Sequence, residues 1–294
     1  MPGSGRLRTF ASLVKLSHSV FALPFALLAL LAASGGAPGW RTVGLVVLAV
    51  VAARTAAMAY NRFVDRDVDA QNPRTAQREI PRGAVAPSAA LGLVAFASGV
   101  FLVACWLLST ACLWLGLPTL AWLLGYSHCK RFTSLSHLWL GIALGVSPVA
   151  AWFAHDGAFG PRLLAPVCLG AAVAFWVAGF DVLYACQDEG FDRGAGLHSI
   201  PARFGARTAM HAARLLHGLA FVGFVAFGVL VPLGAAWLGG CGLAAALLVW
   251  QHRLLSPHDL SRIDMAFFTA NGTLAMVMFA AGCVDLWWLL PHRS

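Results

Sequence analysis

Long apolar stretches follow one another along this chain, and the short segments between them carry most of its charged residues. A transmembrane helix needs about 20 consecutive, mostly apolar residues. Stretches of this kind lie approximately at 13–33, 42–60, 88–109, 111–126, 135–154, 163–184, 211–231, 235–251 and 265–290. The alternation of apolar and polar residues that is typical of β-strands is absent. The pattern predicts an all-α, polytopic membrane protein with nine transmembrane helices.

Turn-forming residues separate these stretches, as in the Gly- and Pro-containing segment 34–38. Two separations are thin. Only Ser109 and Thr110 divide the third stretch from the fourth, and the gap at 232–234 is nearly as short. No low-complexity tract marks a second domain, so residues 1–294 are predicted to form a single integral-membrane domain.

The composition narrows the class of protein further. Of the 294 residues, 60% are hydrophobic and only 11% are charged, whereas a soluble domain has about 25% charged residues. This excludes an ordinary soluble enzyme and a disordered chain. It also excludes a nucleic-acid-binding module, despite a net charge of +8. The expected surroundings are a lipid bilayer, with no nucleic acid as partner.

The basic residues are distributed unevenly between the two sides of the predicted membrane. Sixteen of the twenty Lys and Arg lie in the amino-terminal segment and in alternate loops, at 61–87, 127–134, 185–214 and 252–264. Three lie on the opposite side: Arg41, Arg162 and Arg293. Positively charged loops stay in the cytoplasm. We therefore expect a multi-pass protein of the inner (plasma) membrane with a cytoplasmic amino terminus.

Acidic residues are scarce and clustered. Eight of the twelve Asp and Glu lie in two short segments, 65–79 and 181–192, which we name the first and second acid windows. Each lies at the cytoplasmic end of a predicted span. Ionisable groups at a membrane boundary are costly and usually mark a functional site. The distribution predicts an active site on the cytoplasmic side.

In and before the first acid window, Asn61, Asp65 and Asp69 are four residues apart, which places their oxygens along one helix stripe. Neighbouring carboxylates repel unless a cation lies between them. Oxygen ligands favour a hard ion such as Mg²⁺, which binds carboxylates together with phosphate oxygens. Arg74 and Arg78, one turn apart, offer forked donors that suit a phosphate.

The second acid window repeats this arrangement. Asp181, Asp188 and Asp192 are separated by seven and four residues, so one helix face would carry all three. At the end of the fourth span, Tyr126 and Lys130 supply a hydroxyl and an ammonium one turn apart, although such a pair is also typical of an interfacial anchor. Two such acidic helices facing each other would hold two metal ions across a diphosphate.

These motifs resemble the UbiA superfamily of intramembrane aromatic prenyltransferases: Asn61-x3-Asp65-x3-Asp69 with Arg74 and Arg78, Tyr126-x3-Lys130, and Asp181-x6-Asp188-x3-Asp192. The segments 69–75 and 196–205 are similar to the branch that acts on 4-hydroxybenzoate. They are still more similar to relatives that prenylate a dihydroxynaphthoate in the futalosine route to menaquinone. Arg62 departs from the pattern, because many members carry an Asp after the Asn.

The resemblance implies transfer of a polyprenyl group from an allylic diphosphate to a phenolic aromatic acid in quinone biosynthesis. It implies two Mg²⁺ ions, one bound by Asp65 and Asp69 and the other by Asp188 and Asp192. The residues implied to hold the diphosphate or support the metal ions are Asn61, Asp181, Arg74, Arg78, Tyr126 and Lys130. Asp181 is also a candidate for accepting the final proton. Lys15 and His18 are candidates for an acceptor contact.

Two other functions fit part of the pattern. Another prenyltransferase of the same superfamily, which makes haem O, a pigment or a lipid, would share both acid windows. A secondary transporter would also carry intramembrane acids, but such proteins place them near the bilayer midplane, on helices broken there. Here both acid windows lie at one face, which favours the prenyltransferase.

Overall fold

The chain is helical. The computed structural model describes residue 13 and residues 21–289, and no β-strand occurs among them. Eleven α-helices lie within these residues: α1 Leu23–Ala33, α2 Trp40–Val64, α3 Arg66–Gln71, α4 Pro87–Leu108, α5 Thr110–Cys129, α6 Ser136–Asp156, α7 Leu164–Ala185, α8 Glu189–Gly194, α9 Ile200–Leu230, α10 Ala235–Arg253 and α11 Asn271–Val284. Two π-helical segments, Met265–Ala270 and Asp285–Leu289, flank α11. The prediction of an all-α fold is confirmed.

Each predicted apolar stretch coincides with a helix where the structure describes it. Within the described residues, six helical stretches are long and apolar enough to cross a membrane: Trp40–Val64, Pro87–Leu108, Ser136–Asp156, Pro161–Gly194, Ile200–Leu230 and Met265–Trp287. Large apolar side chains are exposed on several of the helices, including Phe96, Trp106, Trp114 and Val229. Many exposed side chains of this kind are typical of helices in contact with lipid. The chain is an integral membrane protein.

The short separation between the third and fourth predicted stretches is a break between two helices, because α4 ends at Leu108 and α5 begins at Thr110. Ser109 has an extended backbone, with φ −168° and ψ 162°. Its hydroxyl accepts a hydrogen bond from the backbone N–H of Cys112 at 3.0 Å. Serine is favoured at this position because its oxygen satisfies a free N–H of the first helical turn. One serine therefore ends α4 and starts α5.

The gap at 185–210, between the sixth and seventh predicted apolar stretches, contains more helix than expected. Helix α9 begins at Ile200, where Ser199 caps it by accepting the Ala202 N–H at 3.2 Å. The helix is kinked at Gly205, whose φ of 81° is readily adopted only by glycine. The apolar stretch 211–231 is thus the last part of a longer helix. Hydropathy marks the part that suits lipid and misses the preceding residues 200–210, which include Arg203 and Arg207.

Two compact units make up the chain. One contains Val47–His128 together with Leu13, and the other contains residues 21–46 and 129–289. In the second unit, α7 packs against α6 and α9, and most of its residues are buried. Asp181 lies near the end of this central helix. Its backbone is therefore held by packing on two sides.

Glycines let α6 and α7 approach each other closely. A Cβ on Gly141 would lie 2.1 Å from the carbonyl oxygen of Ala174, and one on Gly145 would lie 2.4 Å from that of Gly170. Small residues spaced four apart are typical of closely packed membrane helices. Because His137 lies one turn before Gly141, this packing also sets how near the start of α6 comes to the end of α7.

Asp285 connects the last helical segment of the second unit to the start of α10. Its side chain is fully buried, and its Oδ2 accepts the backbone N–H groups of Gly234 and Trp237, both at 2.8 Å. The first N–H groups of a helix have no partner within the helix and carry partial positive charge. The carboxylate therefore caps α10 from a segment about fifty residues away in sequence.

Candidate active site

The first acid window follows the end of α2. Asp65 separates α2 from α3, with φ −90° and ψ 3°. The helical hydrogen bonds continue across this point, since the Asp65 and Asp69 N–H groups donate to the carbonyls of Asn61 and Asp65 at 2.9 and 2.7 Å. The Asn61 side-chain amide donates to Asp65 Oδ2 at 2.8 Å. The amide thereby orients this carboxylate.

Asp69 is buried and paired with Arg78. Arg78 Nη1 lies 2.6 and 2.8 Å from the two carboxylate oxygens, which is a charge-assisted contact. The chain turns repeatedly between residues 72 and 78, and the Thr75 hydroxyl donates to the Asp69 carbonyl at 3.1 Å. These turns bring Arg78 back to a carboxylate nine residues earlier.

Two further buried charges lie in this part of the chain. Arg62 and Glu79 are each 6% exposed, and Arg62 interacts electrostatically with Asp65, Asp69 and Glu79. A buried guanidinium therefore lies just before the first acid window, at the position where the resembled family often carries an acid. The Arg74 side chain is exposed, and its backbone N–H donates to Asn72.

The second acid window does not form one continuous helix. Helix α7 ends at Ala185, a 3-10 turn spans Cys186–Asp188, and α8 follows. Asp181, Asp188 and Asp192 therefore lie in three successive elements and not on the single helix face that their spacing predicts. Asp188 and Asp192 are buried. The Asp181 side chain remains 19% exposed.

Lys130 lies beside the second acid window. Its Nζ is 3.3 Å from Asp192 Oδ2. Backbone bonds hold the segment before α9 against it, since the Leu197 N–H donates to the Asp192 carbonyl at 2.8 Å and the His198 N–H to the Lys130 carbonyl at 2.6 Å. Tertiary structure thus joins two predicted residues that are 62 positions apart.

His137 is a residue of this region that the sequence patterns do not single out. Its Nδ1 lies 2.7 Å from Asp181 Oδ2, and its Nε2 accepts the Ile200 N–H at 3.4 Å. The only signal in the sequence is a lone histidine at the start of an apolar stretch. That signal is equally typical of a buried histidine with no role in the chemistry.

Tyr126 is half-buried on the last turns of α5. Two residues later on the same helix, His128 Nε2 lies 3.1 Å from the hydroxyl of Tyr60, the residue before Asn61. This contact fixes α5 against α2 within the first unit. The predicted contacts of Lys15 and His18 lie outside the described residues.

The donor atoms fit a hard cation. Among residues 21–289, no group of three His, Cys, Asp or Glu side chains is arranged to hold a metal ion by itself. Mg²⁺ usually binds one or two carboxylates and completes its coordination with water and substrate phosphates. Carboxylate oxygens that already accept a hydrogen bond, as in Asp69 and Asp192, keep further lone pairs. The residues present therefore fit Mg²⁺ bound together with a diphosphate.

Residues 22–289 match the model of the UbiA prenyltransferase family. The chain belongs to this family. The resemblance inferred from the spacing of the acids, bases and tyrosine is thereby confirmed, and the UbiA chain is a prenyltransferase enzyme.

Named relatives and solved structures cover nearly the whole UbiA chain. A 4-hydroxybenzoate octaprenyltransferase of Paracidovorax citrulli is 32% identical over 95% of this chain and 94% of its own. The apo structure of a UbiA homolog from Aeropyrum pernix K1 has a TM-score of 0.83 at 36% identity, over 92% of this chain and 98% of that one. A UbiA homolog from Archaeoglobus fulgidus bound to GPP and Mg²⁺ shares the fold, with a TM-score of 0.74 at 17% identity over 95% and 99%.

Proposed function

We propose that this UbiA prenyltransferase transfers a polyprenyl group from an allylic diphosphate to 4-hydroxybenzoate, or to a related phenolic acid such as a dihydroxynaphthoate, in quinone biosynthesis. The observation that carries the proposal is the 32% identity to a 4-hydroxybenzoate octaprenyltransferase over almost the full length of both chains. The Archaeoglobus fulgidus homolog bound to GPP and Mg²⁺ supports the donor and the metal.

The proposed site contains the residues expected from the sequence. Four carboxylates bind two Mg²⁺ ions, one ion in each acid window: Asp65 and Asp69, and Asp188 and Asp192. The diphosphate is bound by a set of donors: Asn61, Arg74, Arg78, Tyr126 and Lys130. Arg78 and Lys130 each contact a buried carboxylate. These contacts hold the Arg78 and Lys130 side chains in place before the diphosphate binds.

The reaction proceeds by ionisation and ring alkylation. Bound Mg²⁺ supplies positive charge that stabilises the departing diphosphate. Arg78 and Lys130 donate hydrogen bonds to diphosphate oxygens, where negative charge grows as the allylic C–O bond breaks. The electron pair of that bond leaves with the diphosphate, and a ring carbon beside the phenol carbon bonds to the allylic carbon. The displaced ring proton goes to a carboxylate, for which we propose the partly exposed Asp181.

We propose nine membrane spans in the inner (plasma) membrane, with the amino terminus in the cytoplasm and residues 1–294 acting as one domain. Six apolar helices and the shorter α1 support this topology, as do sixteen of twenty basic residues on alternate segments. Both acid windows then meet the cytoplasm, from which an anionic aromatic acid arrives. The net charge of +8 favours the approach of such anions.

The test is prenyl transfer by purified protein supplied with a polyprenyl diphosphate, Mg²⁺ and either 4-hydroxybenzoate or a dihydroxynaphthoate, with products identified by mass spectrometry. We expect a ring-prenylated product, and the acceptor that yields more of it is the substrate. EDTA should stop the reaction and Mg²⁺ should restore it. Asp188→Ala should abolish transfer, because a carboxylate proposed to bind Mg²⁺ is lost. The variant protein should still accumulate to the normal level.

Asp264→Ala is the matched control, because this exposed carboxylate lies outside both acid windows. It should transfer at the wild-type rate. No product with any aromatic acid, or normal turnover by Asp188→Ala, would contradict the proposal. Product formed only with a haem, pigment or lipid acceptor would assign the chain to another branch. Movement of an unmodified solute across vesicles would indicate a transporter.

A further inference from the structure

His137 joins two parts of the second unit through the two nitrogens of its ring. The imidazole is fully buried, with Nδ1 2.7 Å from Asp181 Oδ2 and Nε2 3.4 Å from the backbone nitrogen of Ile200. A buried side chain with hydrogen bonds on both sides is held in one orientation. The proposed reaction as described above gives this histidine no role.

The contact with Ile200 determines which ring nitrogen carries the proton. A backbone N–H can only donate, so Nε2 accepts and bears no hydrogen. The proton is therefore on Nδ1, which donates to Asp181. Ile200 is the first residue of α9, so His137 links the start of this helix to Asp181 and presents an N–H donor to the carboxylate.

Asp181 is left with one oxygen fixed and one open. Oδ2 is held by His137, whereas Oδ1 makes no hydrogen bond with any described residue. Its side chain is 19% exposed, in contrast to the buried Asp188 and Asp192. A proton acceptor must be oriented and accessible to the proton that it takes. Among these three acids, Asp181 combines a fixed oxygen with an accessible one.

Rigid elements hold both members of the pair. The close approach of α6 and α7 at Gly141 and Gly145 fixes the two backbones. On the other side, Ser199 caps α9 and is fully buried, which keeps the Ile200 N–H aimed at the imidazole. A constellation supported by helices in this way is more precise than one carried on loops.

We propose that His137 is a positioning residue that holds Asp181 as the acceptor of the ring proton. This inference rests on the proposed function. In the step concerned, the C–H bond of the alkylated ring carbon breaks and its electron pair restores the aromatic ring. The proton goes to Asp181 Oδ1. His137 keeps its own Nδ1 proton throughout and acts only through the orientation and charge of the carboxylate.

Asn and Gln at position 137 separate the two hydrogen bonds. An Asn amide reaches the place of Nδ1 and keeps a donor for Asp181. A Gln amide reaches the place of Nε2 and keeps only an acceptor for Ile200. We expect His137→Asn to retain kcat within about threefold and His137→Gln to lower it roughly 10- to 100-fold, with little change in either KM.

An acceptor deuterated at the ring carbons beside the phenol carbon reports on proton loss itself. We expect almost no isotope effect on kcat in the wild type. In His137→Gln and Asp181→Asn we expect a primary isotope effect, because proton removal becomes rate-limiting. The double variant should be no slower than Asp181→Asn, since both changes act on one carboxylate. A purely structural role of His137 would lower kcat without this isotope effect.

Equal kcat values for the Asn and Gln variants would overturn the proposal. If His137→Gln does not yield folded protein, Asp181→Asn decides. A primary isotope effect on kcat in that variant supports the proposal, whereas an effect as small as that of the wild type overturns it. Failure of the proposed function looks different, since the wild type itself would then form no prenylated product. Product formation by the wild type with an unaffected Asp181→Asn variant would refute only this inference.

Discussion

Replacing Gly141 by alanine tests whether the close packing of α6 against α7 sets both the stability of the second unit and the geometry at Asp181. The added Cβ would lie 2.1 Å from the carbonyl oxygen of Ala174 and 3.0 Å from its carbonyl carbon. These are backbone atoms, so no side-chain rotation relieves the clash. The two helices must separate by about 1 Å locally, and close-packed interiors resist such a change.

Overpacking of this kind costs about 1–3 kcal/mol. In a chain of this size, that loss lowers the apparent Tm by roughly 2–5 °C. The separation would also stretch the 2.7 Å contact between His137 and Asp181 beyond hydrogen-bond distance. We therefore expect kcat of the folded Gly141→Ala protein to fall about tenfold or more, because small displacements of catalytic groups are costly.

The change in Tm is measured on the detergent-solubilised protein, by size-exclusion chromatography of samples heated to increasing temperatures. The change in kcat is measured by prenyl transfer below Tm. Gly218→Ala on α9 is the matched control, because a Cβ there meets nothing within 4 Å. It should leave Tm unchanged or raise it, since alanine favours a helix over glycine by about 1 kcal/mol. A Gly141→Ala protein with wild-type Tm and kcat would refute the reasoning.

Three other charged residues probe the scaffold and the diphosphate site. Asp285→Ala removes the cap of α10 and should lower the free energy of unfolding by about 1–2 kcal/mol, without changing kcat of the folded protein; an unchanged Tm would argue against the cap. Lys130→Gln should raise KM for the polyprenyl diphosphate about tenfold or more and leave KM for the aromatic acid unchanged in steady-state assays. An equal rise in both KM values would contradict a specific diphosphate contact. Arg78→Lys keeps the charge but loses the planar guanidinium that contacts Asp69, and should lower kcat/KM for the diphosphate about tenfold. A wild-type value would show that charge alone suffices.

The long apolar stretches in the sequence account for most of the helices but not for all their limits. The break at Ser109 can be predicted from the sequence because serine is a favoured helix cap. The early start of α9 at Ile200 cannot, because residues 200–210 carry two arginines and hydropathy reports only suitability for lipid. The 3-10 turn at Cys186–Asp188 is also hidden, since spacing alone assumes that a helix continues.

The sequence by itself determined the class of protein, since too few charges remain for a soluble surface and the apolar stretches have the length of membrane helices. It also indicated the acids, the bases and the tyrosine that are candidates for the active site, because residues four apart share a helix face. Only the tertiary structure decided which side chains contact one another. Lys130 contacts Asp192, which lies 62 residues later, and His137, which no sequence pattern singles out, contacts Asp181, which lies 44 residues later. Such contacts depend on how separate segments of the chain pack, which no local pattern specifies. For His137 and Asp181, the glycines of α6 and α7 permit the close approach.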